Sequence, residues 1–206
     1  MEMSVYRRIT LQIYILENKL SKVSLFFHRS WLLLCPTLAF AIVYLLDRWL
    51  MEPLQIFPGA SLVHLPSGFK LVIVLLLGWI GALAIFTVTL LAGLLILEEH
   101  SLAFPLILAV IQGLTPLITR RIFLKRKLLL EDLSDISRNT LMWITLVFSL
   151  LNSVLSQLVW HLSSVTSQLA DAILVTFIGD VIGVWLVLGL LKLTARFILP
   201  ASAPPG

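Results

Sequence analysis

A single cysteine, Cys35, in a chain of 206 residues excludes an intrachain disulfide and a thiolate metal cluster. Charge is scarce as well. Asp, Glu, Lys and Arg make up 13% of the sequence, where a soluble domain carries about 25%. No Walker loop, G-x-S-x-G elbow, Ser/His/Asp order or Cys pair occurs, so nothing points to covalent or phosphoryl chemistry. The four histidines show no H-x-x-x-H spacing, and no metal site is expected. What remains is apolar: 59% of residues are hydrophobic and the mean hydropathy is +1.03. Long apolar runs with few charges read as membrane helices. A soluble enzyme, a disordered chain and a secreted disulfide scaffold are all excluded.

The net charge of +4 does not call for nucleic acid, because basic residues in a membrane protein first report orientation. The first residues lack the compact apolar core and small-residue site of a cleavable signal, so the first crossing is expected to be an uncleaved anchor. Residues 1–29 hold Val5, Ile9, Ile13, Leu16, Leu20, Val23 and Phe27 at helical spacing beside Arg7, Arg8, Lys19 and Lys22. That pattern predicts an amphipathic helix on an anionic membrane surface, or one docked on a partner protein. Residues 30–199 form the membrane domain, and the Pro-rich tail 200–206 is expected to be disordered.

Within the domain, apolar runs lie at Ser30–Leu46, Leu71–Leu97, Leu102–Thr119, Asn139–Trp160 and Ala172–Leu191, with a loop over 49–66. The second run decides the topology. Unbroken it gives five crossings; broken at Gly78-Trp79-Ile80-Gly81 it gives about six. Six crossings with both termini cytoplasmic place Arg7, Arg8, Lys19, Lys22, Arg29, Arg120, Arg121, Lys125, Arg126, Lys127, Arg138, Lys192 and Arg196 inside. Only Arg48 and Lys70 of the 15 basic residues stay outside, a split that the positive-inside rule favours. The second helix is then short, about 11 residues or roughly 16 Å, against a hydrocarbon core of about 30 Å. Irregular backbone must help it across, which makes 58–81 a candidate pocket wall. The expected fold is an all-α polytopic membrane protein.

Asp180 lies deep in the last crossing, where a carboxylate is costly and faces the bundle interior. Thr176, Gly179, Asp180 and Gly183 share one face, and Gly179-x-x-x-Gly183 would admit another helix closely. Asp180 either contacts a ligand, ion or proton, or fixes helix packing. The fifth crossing carries a polar stripe of Ser149, Asn152, Ser153, Ser156, Gln157 and Trp160, which is expected to pack on the Asp180 helix. Gln112 and Gly113 add an inward polar contact. In the 120–138 loop, Arg120, Arg121, Lys125, Arg126 and Lys127 suit anionic headgroups or a partner. Glu131, Asp132 and Asp135 suit the start of the next helix.

The stretch His64-Leu-Pro-Ser-Gly-Phe-Lys-Leu running into Gly78-Trp79 resembles the W-P-P-[SA]-G-[IL]-x-L…G entry motif of the bacterial membrane-associated sensor domain (MASE) family of the first type. Asp132 or Asp135 matches that family's acidic residue before its penultimate helix. Gly179-Asp180-Val181-Ile182-Gly183 matches its G-D-x-x-G. The resemblance spans about residues 30–195, nearly all of the chain. His64-Leu65 departs from the expected Trp-Pro, Lys70 stands where a small residue is usual, and the proline-bearing end of the last helix is missing. The family shows more crossings and feeds a cytoplasmic kinase, cyclase or phosphodiesterase module. The resemblance therefore implies a membrane module without an output domain.

These readings lead to a non-catalytic, sensor-like protein of the bacterial inner membrane, without cofactor, acting by contact with a membrane partner and open to a small ligand. Pro66, Ser67, Gly68, Asn152, Gln157, Gly179, Asp180 and Gly183 are its candidate ligand or packing residues. A substrate-capturing subunit of a modular vitamin or metabolite transporter is the alternative. An accessory subunit of a large membrane complex is a further one and predicts no pocket.

Overall fold

The computed structural model describes residues 30–51, 53, 55–96, 102–130, 136–165 and 168–198. The expected amphipathic helix, the tail and the acidic cluster Glu131–Asp135 lie outside them. Among the described residues six helices follow one another: α1 Ser30–Met51, α2 Leu65–Leu77, α3 Trp79–Ile96, α4 Ala103–Lys125, α5 Arg138–Leu162 and α6 Leu169–Ile198. Four of them, α1, α4, α5 and α6, are long and apolar enough to cross a membrane. The apolar helices α2 and α3 are shorter, at 13 and 18 residues.

Among the described residues, a short hairpin in the expected loop departs from all-helical structure. Strand β1, Gln55–Phe57, pairs antiparallel with β2, Ala60–Ser61. Pro58-Gly59 turns the chain between them, with Gly59 at φ +68°. Proline followed by a left-handed glycine is the signature of a tight turn.

The long apolar run does break at Gly78. Its φ of +55° ends α2, its N–H bonds the Val74 carbonyl at 2.9 Å, and α3 begins at the next residue. The helices run past the boundaries that charge suggested. α1 continues through Asp47-Arg48 to Met51, and α4 through Arg120-Arg121 to Lys125. A charge near a helix end leaves its backbone hydrogen bonds intact, so it does not terminate the helix.

Successive helices alternate in direction. The start of α2 meets the end of α1, the turn at Gly59 rests on Trp160 near the end of α5, and Gly93 late in α3 touches Pro105 early in α4. These contacts define a hairpin end. At the opposite, basic end, the Arg120 Nε of α4 donates to the Leu75 carbonyl of α2 at 3.2 Å.

The short helix is the centre of the bundle. Ile73 and Val74 of α2 pack with Phe40 of α1, Ile85 of α3 and Leu117 of α4. On its other side Leu71 and Leu75 meet Phe123 of α4, Phe148 of α5 and Val184 of α6. A helix of about 20 Å can sit at this depth because protein surrounds it. α5 has the inverse of a soluble helix's pattern. Ser149, Asn152, Ser153, Ser156 and Gln157 are buried, while Trp143, Leu150, Val154 and Leu158 are exposed. Polar groups turned inward and apolar ones outward fit a lipid surround.

Candidate functional site

Asp180 is 0% exposed and ties three helices together. Its Oδ1 accepts from the Ser67 hydroxyl of α2, and its Oδ2 from the Asn152 Nδ2 of α5 at 2.7 Å. One helical turn away, the Gln157 Nε2 donates to the Thr176 hydroxyl at 2.8 Å, and that hydroxyl donates to the Ala172 carbonyl. The polar stripe of α5 thus packs on α6 at the spacing its sequence shows.

Gly179 and Gly183 do not receive a whole helix. They receive extended backbone: a Cβ at Gly179 would strike the Ser61 carbonyl, and one at Gly183 the His64 carbonyl. The His64 N–H bonds the Gly179 carbonyl at 3.2 Å. Gly68, in the first turns of α2, then lies against the Gly183 carbonyl and Val187. Bare backbone on both sides lets the hairpin, the 62–64 connection and α2 descend into the bundle.

α2 needs a partner at its start, because the N-cap residue His64 offers no side-chain bond. Asp47 of α1 supplies it. Its Oδ1 accepts from the Leu65 N–H at 3.0 Å, and its Oδ2 lies 3.2 Å from the His64 Nδ1. A carboxylate at a helix start meets free N–H groups and the positive end of the helix dipole. Asp47→Ala should therefore lower stability by about 1–2 kcal/mol. Asp47→Asn should recover part of that, as measured by thermal unfolding in detergent. Equal stability of all three proteins would refute the cap.

Lys70 follows one turn after Ser67 on α2 and is 2% exposed. Its Nζ donates to the Gln112 Oε1 of α4 at 2.5 Å. It is no outer-surface charge. Beside it lies a cavity of about 110 Å³ walled by Pro66, Lys70, Gln112, Asn152, Ser156 and Thr176, with Phe40 and Trp160 among its apolar lining. A second cavity of about 240 Å³ lies nearer the hairpin and includes Asp47, Arg48, Gln55 and Ser61. Tyr44, Gly59, His64, Thr89, Leu108 and Trp160 border both. These shared walls make the two cavities neighbours, and Lys70 is among the walls of the inner one.

The candidate residues divide accordingly. Pro66 and Asn152 line the inner cavity. Ser67, Gly68, Gln157, Gly179, Asp180 and Gly183 form the packed joint behind it. Gln112 and Ser156, inward polar residues by their sequence pattern, line the inner cavity, and Lys70, Asp47 and His64 belong to the site without a sequence signal that selects them. The basic residues divide too. Arg120 turns inward onto α2, and the Arg121 guanidinium lies 5.3 Å from the Trp79 ring centre. Lys125, Arg126 and Lys127 are exposed at the end of α4. Lys127 takes φ +55° while the next N–H, of Leu128, reaches back to Phe123, a helix stop in which glycine is the usual residue.

Comparison with protein-family models, with characterised proteins and with solved structures finds no match to the chain.

Proposed function

We propose that this chain is a non-catalytic, sensor-like module of the bacterial inner membrane that admits a small ligand at its hairpin end and acts by contact on a membrane partner. The observation that carries the reading is the pair of neighbouring cavities between the hairpin and Lys70. A buried cation, Gln112 and Asn152 converge on a cavity with apolar walls, the usual make-up of a small-molecule site. The joint behind it supplies the coupling. Asn152 lines the cavity and also bonds Asp180, so a ligand touching Asn152 touches the contact between α2, α5 and α6.

In this reading the six helices all cross, with the hairpin end outside and the basic end in the cytoplasm. Arg121, Lys125, Arg126 and Lys127 then face anionic headgroups or the partner. A reporter fused after Glu99 should read as periplasmic; a cytoplasmic signal would overturn the orientation. The sequence likeness to the MASE family of the first type agrees with such a module. Native purification tests the mode of action, and the expected result is a membrane protein recovered in stoichiometric amount. Recovery of paired ATPases with a scaffold subunit would replace the proposal by the substrate-capturing one, which the same cavity favours. An accessory subunit of a large complex has no use for the cavity.

A further inference from the structure

Resting on the reading of the cavity as a ligand site, we propose that its ligand is a small organic carboxylate bearing a hydrogen-bond donor, with the carboxylate on Lys70 and the donor on Asn152.

The ammonium of Lys70 has three N–H bonds, and among the described residues its one hydrogen bond goes to Gln112. Among the described residues no carboxylate touches it. Asp180 spends its two oxygens on Ser67 and Asn152, and Asp47 spends its two on Leu65 and His64. Lys70 therefore keeps donors for an acceptor that arrives through the cavity. A carboxylate is the acceptor whose charge also answers the ammonium.

Asn152 supplies the second contact. Its Nδ2 is committed to Asp180, while its Oδ1 is buried without a hydrogen-bond partner. A buried amide oxygen left unmet is costly, and this residue borders the same cavity as Lys70. Its need is for a donor: a hydroxyl or amine on the ligand. Two of the other polar walls ask for little, while Tyr44, His64 and Thr89 stand where the two cavities meet. Ser156 donates to the Asn152 carbonyl, and Thr176 already both accepts and donates. Phe40, Leu108 and Trp160 present apolar surface. A volume of about 110 Å³ limits the occupant to a few heavy atoms unless it extends toward the hairpin.

Three probes of nearly equal size separate these contacts. Lactate has the carboxylate and the donor, propionate lacks the hydroxyl, and lactamide lacks the charge. Thermal unfolding and calorimetric titration of the full chain in detergent should show lactate binding. Propionate should bind about tenfold more weakly and lactamide at least about thirtyfold more weakly. Lys70→Met should remove the preference for lactate over lactamide. Leu108→Trp, which narrows both cavities without touching Lys70, should abolish binding by all three while the protein stays folded, and it serves if Lys70→Met does not fold.

A thiol probe separates the two levels of failure. In a Cys35→Ser background, Thr89→Cys should react with a small charged methanethiosulfonate, and lactate should protect it. Reaction without protection, or lactamide binding as well as lactate, overturns the carboxylate assignment and leaves the cavity standing. Absence of reaction at Thr89→Cys overturns the cavity itself.

Discussion

Asp180→Leu should destabilise the protein by on the order of 3 kcal/mol, whereas Asp180→Asn should cost about 1 kcal/mol and keep the fold. Interhelical hydrogen bonds within membranes average about 0.6 kcal/mol, so loss of the bonds from Ser67 and Asn152 is too small to explain the leucine value. The larger part comes from what leucine strands. Ser67 and Asn152 are 0% and 1% exposed, and each loses its buried acceptor.

Asparagine avoids most of this. Its oxygen still accepts from Ser67. Its amide N–H₂ would face the Asn152 amide, but Asn152 can turn its unpartnered Oδ1 toward it. That rotation takes the acceptor assigned to the ligand, so Asp180→Asn should weaken lactate binding far more than it weakens the fold. Unfolding midpoints and titrations on the same three proteins check both halves. A leucine variant as stable as the parent would show that the joint carries no strength.

Most of the helical plan can be read along the chain, and the site only in part. The polar stripe of α5 and the depth of Asp180 follow from periodicity, since a run of Ser, Asn and Gln on one helical face has nowhere to go but inward. The break at Gly78 follows from the distribution of basic residues. The hairpin carried a local signal in Phe57-Pro58-Gly59-Ala60, hidden by its brevity. Lys70 could not be placed in this way. Just after a Pro-Gly-rich loop and before a long apolar run, a lysine reads as a border charge; it is buried only because α2 starts inside the bundle. Asp47 is similar. On its own helix it looks like a polar end, and its cap on α2 exists only once the two helices meet. The GxxxG spacing was correct in announcing a close approach but could not say that the approaching chain would be extended backbone.

That close approach yields two expected effects of opposite sign on one helix. Gly183→Ala should cost about 1–3 kcal/mol, because its methyl group would meet the His64 carbonyl, a backbone atom that no rotamer change can move. Gly189→Ala, less than two turns further along α6, adds a methyl with nothing within 4 Å. It should raise stability by up to about 1 kcal/mol through the better helix propensity of alanine. Thermal unfolding of both in the same detergent gives the comparison, and a shared sign would refute the packing argument. Gly183→Ala has a further reach. His64 bonds the Gly179 carbonyl through its N–H, accepts from the Ser67 N–H and faces Asp47 through its ring. A push on its carbonyl therefore loosens α6, the first turn of α2 and the cap from α1 together. Since His64 also borders both cavities, Gly183→Ala should reduce lactate affinity even though no ligand atom touches Gly183. Gly189→Ala should leave that affinity unchanged.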